Sequence, residues 1–482
     1  MSQHSVFNRI TDRVRRCYPV SEESCVEETV DPHDLIHPDR LDILLKLYYV
    51  DARVRGLDMT YPTEVYMRHI EVMTSYTNNE LGQRDKSSLH SFLSAFNHLI
   101  DSFQSEGFRD DISVIPVSAD GIILDGAHRV ACAIYFGSPV TILRLLGVRH
   151  GGTAEPLHYG YEYFKKLWFG EEFLHLAVLQ YLKYSRKNIY MACLWPAACD
   201  ADKRQKAFAI INQSHSVICT KEVFFSFTAF DRFIAQVYMN DDWVGSIANG
   251  FKGSLGKSSV TYKDGIPTTF ILFEGANVGE TLSLKQQIRE IFGMGKHSVH
   301  ITDTTEESRF LSEIVFNTNS LSFLEHGVPH RNGSLLRRIN RPQDAIMSIA
   351  SSMLMWGLTP VPNAKDDRLV LEDSDMKSPY RISDIANIPS AYFSYIGIRF
   401  VMPLKSVLST YFKDIPPQNI LNHLPNAGGN TVVQRLVICY RKQRLRVKSI
   451  VRQQLWYHPR LYGMLRWIKT KCTRFVRPKV FV

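Results

Sequence analysis

The chain lacks several features that would place it in a specialised class. No uninterrupted apolar run reaches about eighteen residues, the length that a membrane-spanning helix needs. The eight cysteines show no paired spacing, and Cys193 and Cys199 have no second pair with which to form a zinc site. We also find no signal peptide, so we expect a cytoplasmic protein in a reducing compartment. With 45% hydrophobic and 22% charged residues among 482, the composition is that of an ordinary folded protein of two or three domains.

Acidic residues are absent after Asp414, whereas fourteen lysines and arginines follow it. Subtracting these fourteen charges from the overall +9 leaves −5 for residues 1–414, so only the tail is basic. Within residues 432–482 the cations alternate with apolar and aromatic side chains, including Trp456, Tyr462 and Trp467. Such a basic amphipathic tail suits an anionic membrane surface, at about 1 kcal/mol per basic side chain. The same composition suits the backbone of DNA, which stays open as the alternative partner.

Residues 115–137 are the one stretch whose order implies chemistry. Two short apolar runs flank a turn at residues 119–121 and predict a β-hairpin. The apolar period then becomes that of a helix, which Gly137 is placed to end. The motif Asp125-Gly126-Ala127-His128-Arg129 therefore lies where a strand passes into a helix. The free N–H groups and the dipole of a helix N-terminus favour an anion, and the imidazole and guanidinium add donors suited to phosphate.

The run from Ile122 to Ala133, with a following strand at residues 140–145, resembles the ParB/sulfiredoxin-like domain. Members of that family include CTP-hydrolysing chromosome-partition proteins, sulfiredoxins and a free-serine kinase. The resemblance covers residues 114–146 and implies a nucleotide pocket for ATP, ADP or CTP with Mg²⁺. It implies that Gly126, Ala127, His128 and Arg129 bind the nucleotide, and that Asp125 and His128 are catalytic, with Asp125 as acid/base or metal ligand. No metal site built from protein residues alone is expected.

Departures from the family pattern narrow the implied activity. Sulfiredoxins carry their catalytic cysteine at the position of Ala127, and Cys132 lies one turn later at an apolar position, so sulfiredoxin chemistry is not expected. We find no helix-turn-helix reader between residues 151 and 259, as a partition protein would have. A kinase-like activity remains. In the kinase-like relatives a glutamate outside the motif acts as the base, and Glu64 is a candidate by its order along the chain, unless it only complements a helix dipole.

The fold class that we expect is mixed α/β (α+β). After a lead-in at 1–29, residues 30–150 form a small sheet with covering helices that start near Leu41, Tyr61 and Ser87. A mixed α/β domain follows at 151–336, with apolar runs at 188–194, 208–211 and 268–273 and helices at 161–182, 282–292 and 305–316. A small α/β unit at 337–431 has an acidic stretch at 366–375 and a buried strand near Ala391, and the helical basic tail occupies 432–482.

Two further stretches invite a functional interpretation. Residues 250–258 approach a P-loop, but Phe251 stands where the pattern needs glycine and the next residues favour a strand, so we predict a flexible basic loop. Residues 295–304 place Lys296, His300 and Asp303 around a short strand that leads into a helix. They form either a second catalytic pocket or a helix cap beside a buried histidine.

We therefore expect a bacterial-type, nucleotide-dependent phosphotransferase that acts on a small hydroxyl compound or a glycan, in surface-polysaccharide assembly. It would be cytoplasmic and peripheral at the inner face of the membrane. The alternative is a ParB-like protein in which a bound nucleotide gates DNA binding or partition.

Overall fold

A computed structural model describes residues 9–21, 24–57, 59–80, 86–245 and 251–326, together with three short strands and three single positions between 359 and 446. The described part is a mixed α/β structure, as the sequence predicted. Its helices are α1 Asp12–Cys17, α2 Leu41–Val54, α3 Thr60–Met73, α4 Leu89–Glu106, α5 Ala127–Phe136, α6 Tyr161–Lys166, α7 Glu171–Tyr184, α8 Ala201–Ser214, α9 Phe227–Val237, α10 Lys252–Thr261, α11 Val278–Phe292, α12 Thr305–Val315 and α13 Thr318–His326.

The strands form three sheets. The first has the order β1-β3-β2, the second β5-β6-β4-β7 and the third β8-β10-β9. Their ranges are β1 Cys25–Val30, β2 Ile115–Ser118, β3 Val140–Leu145, β4 Ile189–Leu194, β5 Ser216–Val223, β6 Thr268–Glu274, β7 Val299–Ile301, β8 Thr359–Val361, β9 Tyr392–Tyr395 and β10 Ile398–Val401.

The first sheet carries the motif. Strands β2 and β3 are parallel, and α5 connects them in a βαβ unit, while β1 pairs antiparallel with the other side of β3. The predicted hairpin is present only in part, because the second run makes a single bridge between Val117 and Ile123 and then passes into the motif. The lead-in was expected to be loosely held. Instead β1 is an edge strand, and Ile10 and Val14 pack into a small core against β3.

The three predicted helices, α2, α3 and α4, are present. In α2 the apolar residues are spaced for burial on all sides, and every residue from Leu41 to Ala52 is buried. Helix α4 starts with a capping box in which Ser88 and Ser91 bond to each other's backbone N–H groups. Helices α2 and α4 pack on α5, so the motif helix lies between the sheet and this layer.

The second sheet is antiparallel throughout and is covered on both faces. The apolar runs of β4 and β6 were predicted as strands. Residues 208–211 were expected to form a strand but belong to α8, because a four-residue apolar run fits either period; Ile211 is buried in the core, and Phe208 and Ile210 pack against it partly buried. The predicted helix at 161–182 is divided into α6 and α7 at Gly170, whose φ is +107°. Residues 252–258 also differ from the prediction of a flexible loop, since they belong to helix α10, which continues to Thr261 where a strand was expected.

One hydrophobic core joins the units that the sequence divided near residue 151. It contains Leu44 and Phe96 of the first unit together with Tyr181, Trp195 and Phe270 of the second. Helix α2 packs directly on α7, and these large side chains are buried between the two units. The two predicted units are therefore packed around a common core.

Little of the last third lies within the described residues. The strand expected near Ala391 is a pair of antiparallel strands, β9 and β10, and Ser394 of β9 bonds to Glu313 and Ser320. The acidic stretch at 366–375 lies outside the described residues, as does nearly all of the basic tail at 432–482. Among the described residues, no helix has both the length and the apolarity to cross a bilayer.

Candidate functional site

The motif forms the start of helix α5, and Gly126 determines its shape. Gly126 is the N-cap residue, with φ +91°. A Cβ at this position would lie 2.7 Å from Arg129 Nη2 and 2.8 Å from Ile115 Cδ1, so backbone conformation and contact both require glycine. No side chain caps the helix, and the N–H groups of its first turn have no partner within the helix. The positive end of the helix dipole is therefore left without a capping side chain.

Asp125 is ionised and holds the loop in place. Its Oδ1 accepts the Gly126 N–H at 2.8 Å, and its Oδ2 accepts the Thr11 hydroxyl at 2.8 Å. Burial alone would raise the pKa of Asp125, but the guanidinium groups of Arg129 and Arg13 lower it below its ordinary value. Because the carboxylate is already deprotonated at neutral pH, it is poorly suited to act as a general acid. Thr11 and Arg13 lie within residues 1–29, which the sequence predicted to be a lead-in to the first domain.

His128 is half-buried and points toward the helical layer. Its Nε2 lies 3.0 Å from the Tyr66 hydroxyl, and its ring packs edge-on against Phe96 at 4.6 Å. Burial and the positive charges of Lys46 and Lys86 lower the pKa of His128 well below its ordinary value. The side chain is therefore a neutral imidazole. Arg129 remains a cation and donates to the Val114 carbonyl at 3.1 Å.

Behind His128 lies a buried ionic group on helix α2. Asp42 is fully buried and accepts two hydrogen bonds from Arg40, at 2.8 and 2.9 Å, and one from Lys46 at 3.0 Å. Arg40 also donates to the Ile123 carbonyl two residues before the motif. The two cations lower the pKa of Asp42 far below its ordinary value, although burial opposes them. One carboxylate thus faces two buried cations, and one positive charge is left over.

His69 of α3 completes this group. Its side chain is 0% exposed, and neither ring nitrogen makes a hydrogen bond that meets the usual geometric limits, although the backbone of Val65 and Tyr66 is near enough to raise the pKa of His69. Burial and the charge of Lys46 lower the pKa of His69, which is therefore neutral. A buried polar group without a partner is uncommon and calls for an explanation. Hereafter the polar cluster denotes Arg40, Asp42, Lys46, Tyr66, His69 and His128.

Three charged residues stand at the rim of the polar cluster. Glu80 pairs with Lys86 at 2.8 Å and with Arg13 at 3.6 Å, and all three are partly exposed. Lys86 acts on His128 and Arg13 acts on Asp125, so the rim borders both the cluster and the motif. Taken together, five cations face three carboxylates, which gives a net charge of +2: Arg13, Arg40, Lys46, Lys86 and Arg129 against Asp42, Glu80 and Asp125.

The sequence pointed to the motif but not to most of the polar cluster. A signal was present, because Asp42 and Lys46 interrupt an otherwise apolar helix four residues apart. His69 had no such signal, and only the packing of α3 brings it near α2 and α5. Glu64 lies on the exposed face of α3, outside the polar cluster. Among the described residues it forms neither a helix cap nor an ion pair.

The second candidate site does not assemble as one pocket. His300 is buried, and its Nε2 lies 2.8 Å from Glu307 Oε1. Asp303 is exposed and pairs with Lys285 at 2.8 Å, whereas Lys296 is exposed in a 3-10 turn at residues 295–297. Thr304 caps α12 by accepting the Glu307 N–H. These contacts match the alternative of a cap beside a buried histidine.

No group of three or more histidine, cysteine, aspartate or glutamate side chains among the described residues could hold a metal ion. Any Mg²⁺ at the motif would therefore depend on ligands supplied by a bound phosphate. Comparison of the chain with family models, with curated proteins and with solved structures found no match.

Proposed function

We propose that the motif and the polar cluster bind the phosphate groups of a nucleotide, ATP, ADP or CTP, and that the protein transfers a phosphoryl group to a small hydroxyl compound or a glycan. The observation that carries this proposal is an uncapped helix N-terminus next to a partly buried group of net charge +2. Phosphate oxygens would satisfy the free N–H groups of α5 and neutralise the surplus charge. They would also explain why His69 is buried without a partner.

In such a transfer an acceptor oxygen bonds to the terminal phosphorus, the bridging P–O bond breaks, and the nucleotide shortened by one phosphate (a diphosphate from ATP or CTP, a monophosphate from ADP) leaves with the electron pair. Lys46 and Arg129 would stabilise the charge that develops on these oxygens. His128 is neutral, so it can accept the proton of the acceptor hydroxyl. Asp125 would keep Arg13 and the loop in position. Glu64, being exposed and outside the cluster, is a weaker candidate for the base than His128.

Mg²⁺, when bound, would supply further neutralisation of the phosphates. Among the described residues, the carboxylates nearest to the motif already have protein partners. The nucleotide itself would therefore bring the ion, with Asp125 as the nearest protein oxygen donor in the motif.

The test is nucleotide binding followed by label transfer with purified full-length protein. The Lys46→Met and Arg129→Gln variants should lose saturable binding of ATP, ADP and CTP. The control is Arg53→Gln, which lies on the same helix as Lys46 but pairs with Asp101 at the surface. His128→Gln should weaken binding less than Lys46→Met, because it removes no positive charge, and should lose transfer of the terminal phosphate to added hydroxyl compounds. Equal binding by Lys46→Met and Arg53→Gln would overturn the proposal.

The alternative, a nucleotide-gated DNA-binding or partition-type protein, is favoured by the fourteen cations of the tail. We propose instead that the tail docks the protein on the anionic inner face of the membrane, where surface polysaccharides are assembled. Co-sedimentation with vesicles that contain anionic lipid, with and without residues 432–482, tests this assignment. Salt-sensitive retention of duplex DNA that depends on bound nucleotide, with no label transfer, would favour the alternative.

A further inference from the structure

A second cationic site lies in the other half of the described structure, at the point where α10, α11 and the 3-10 turn at residues 295–297 meet. Lys257 of α10 is only 8% exposed. Its ammonium donates to the Lys296 carbonyl at 2.5 Å and lies 5.7 Å from the centre of the Tyr238 ring. Among the described residues no carboxylate is within ion-pair distance of Lys257. A buried ammonium without a counter-charge is costly.

The charged groups that act on Lys257 are themselves cations. Burial, Lys296 and Arg289 together lower the pKa of Lys257 to about 8. Burial and the charges of Lys257 and Lys296 likewise lower the pKa of His297. Two acids act on Tyr238, and both are already bonded elsewhere: Glu307 to the His300 ring and the Asp303 N–H, and Asp241 to the indole N–H of Trp243. Local acids therefore do not balance this group.

Several side-chain nitrogens in the same region are buried without a hydrogen-bond partner. They are Arg289 Nε, His297 Nδ1 and the indole Nε1 of Trp195, which is 0% exposed. The Trp195 ring stacks on His300, and the His300 ring in turn contacts Tyr238 at 5.2 Å, so these groups belong to one contiguous region. Buried polar nitrogens without partners, next to cations without a counter-charge, suit an anionic ligand.

An aromatic wall borders the cations. The Tyr238 ring lies 5.1 Å from the Trp243 ring, and Trp243 is 49% exposed. A large exposed aromatic side chain beside a cationic group suits a ligand that joins a ring to a phosphate. A phosphate dianion offers three terminal oxygens and up to twice the charge of a carboxylate, so it can accept from several of these groups at once.

We propose that Lys257, Arg289, Lys296 and His297 bind the phosphate group of a small phosphorylated compound whose ring packs on Tyr238 and Trp243. This site is separate from the motif and does not depend on nucleotide binding there. None of its residues overlaps with the motif or with the polar cluster.

The experiment is a calorimetric titration of the full-length protein with inorganic phosphate, glucose 6-phosphate and AMP. We expect saturable binding, with the ring-bearing phosphates binding more tightly than inorganic phosphate. Lys257→Gln and Arg289→Gln should each weaken binding about ten-fold or more, because each removes a charged hydrogen bond. Lys296→Gln gives a second test that should preserve folding, because its side chain is exposed and only its carbonyl bonds to Lys257. Lys252→Gln, at an exposed position of the same helix, is the matched control and should leave the affinity unchanged.

The same titration of Arg129→Gln separates this site from the motif. Binding that survives Arg129→Gln and falls in Lys296→Gln supports the second site, even if the motif binds no nucleotide. Binding that is lost in Arg129→Gln and unchanged in Lys296→Gln and Arg289→Gln would overturn the second site and leave the proposed function standing. Absence of saturable binding at millimolar ligand, or equal weakening by Lys252→Gln, would also overturn it.

Discussion

Replacing Gly126 with alanine tests the geometry of the motif directly. The native φ of +91° costs a non-glycine residue about 1–2 kcal/mol. The new Cβ would also stand 2.7 Å from Arg129 Nη2 and 2.8 Å from Ile115 Cδ1. Arg129 would have to leave its position near the Val114 carbonyl, and the fully buried Ile115 would have to shift, at a further cost of about 1–3 kcal/mol. We expect Gly126→Ala to lower the free energy of unfolding by about 2–5 kcal/mol.

Gly137→Ala is the matched control for this substitution. Gly137 ends the same helix with φ +64°, and nothing lies within 4 Å of a Cβ built there. It should therefore cost only the conformational part, about 1–2 kcal/mol. Urea denaturation gives the two free energies, and hydrogen exchange of the α5 amides gives the local stability. If both variants lose the same stability in α5, the close contact around Gly126 does not exist and the argument for the motif's shape fails.

Further predictions concern the buried charges, histidines and thiols. Asp42→Asn should lower the free energy of unfolding by about 3–5 kcal/mol, because two buried cations lose their charged partner. The control Asp101→Asn, at an exposed ion pair, should change it by no more than about 0.5 kcal/mol. Similar midpoints of urea denaturation for the two variants would contradict this prediction. Burial and Lys221 lower the pKa of His175 to about 4 from 6.5, so its contribution to stability is present above about pH 6.5 and lost as pH falls toward 4. His175→Gln should flatten the loss of stability across that window, and an unchanged pH profile would refute the assignment. Peptide mapping after thiol labelling of the native protein should find modification at the partly exposed cysteines but not at the buried ones, Cys132, Cys193 and Cys219.

Local signals in the sequence were enough to predict much of the first unit and both ends of the motif helix. Glycine at positions 126 and 137 marks the ends of α5 because each end needs a positive φ, which is a property of the residue itself. Helix α2 and strands β4 and β6 were predictable because their apolar runs are long enough to show a single period. The mixed α/β class followed from these elements and is the class of the described structure.

Only the tertiary structure decided which polar residues meet. Asp42, His69 and His128 come from three helices, and no sequence spacing relates them. The neutral state of His128 also depends on packing, because burial and the charges of Lys46 and Lys86 lower the pKa of its imidazole. Helix α10 occupies a glycine- and serine-rich stretch that favoured a loop. Gly253 allows this helix to approach the backbone of Trp243 so closely that a Cβ built on Gly253 would lie 1.9 Å from the Trp243 carbonyl oxygen. Periodicity and turn chemistry act over a few residues, whereas burial and charge balance depend on distant segments of the chain, and the function proposed here depends on the second kind of information.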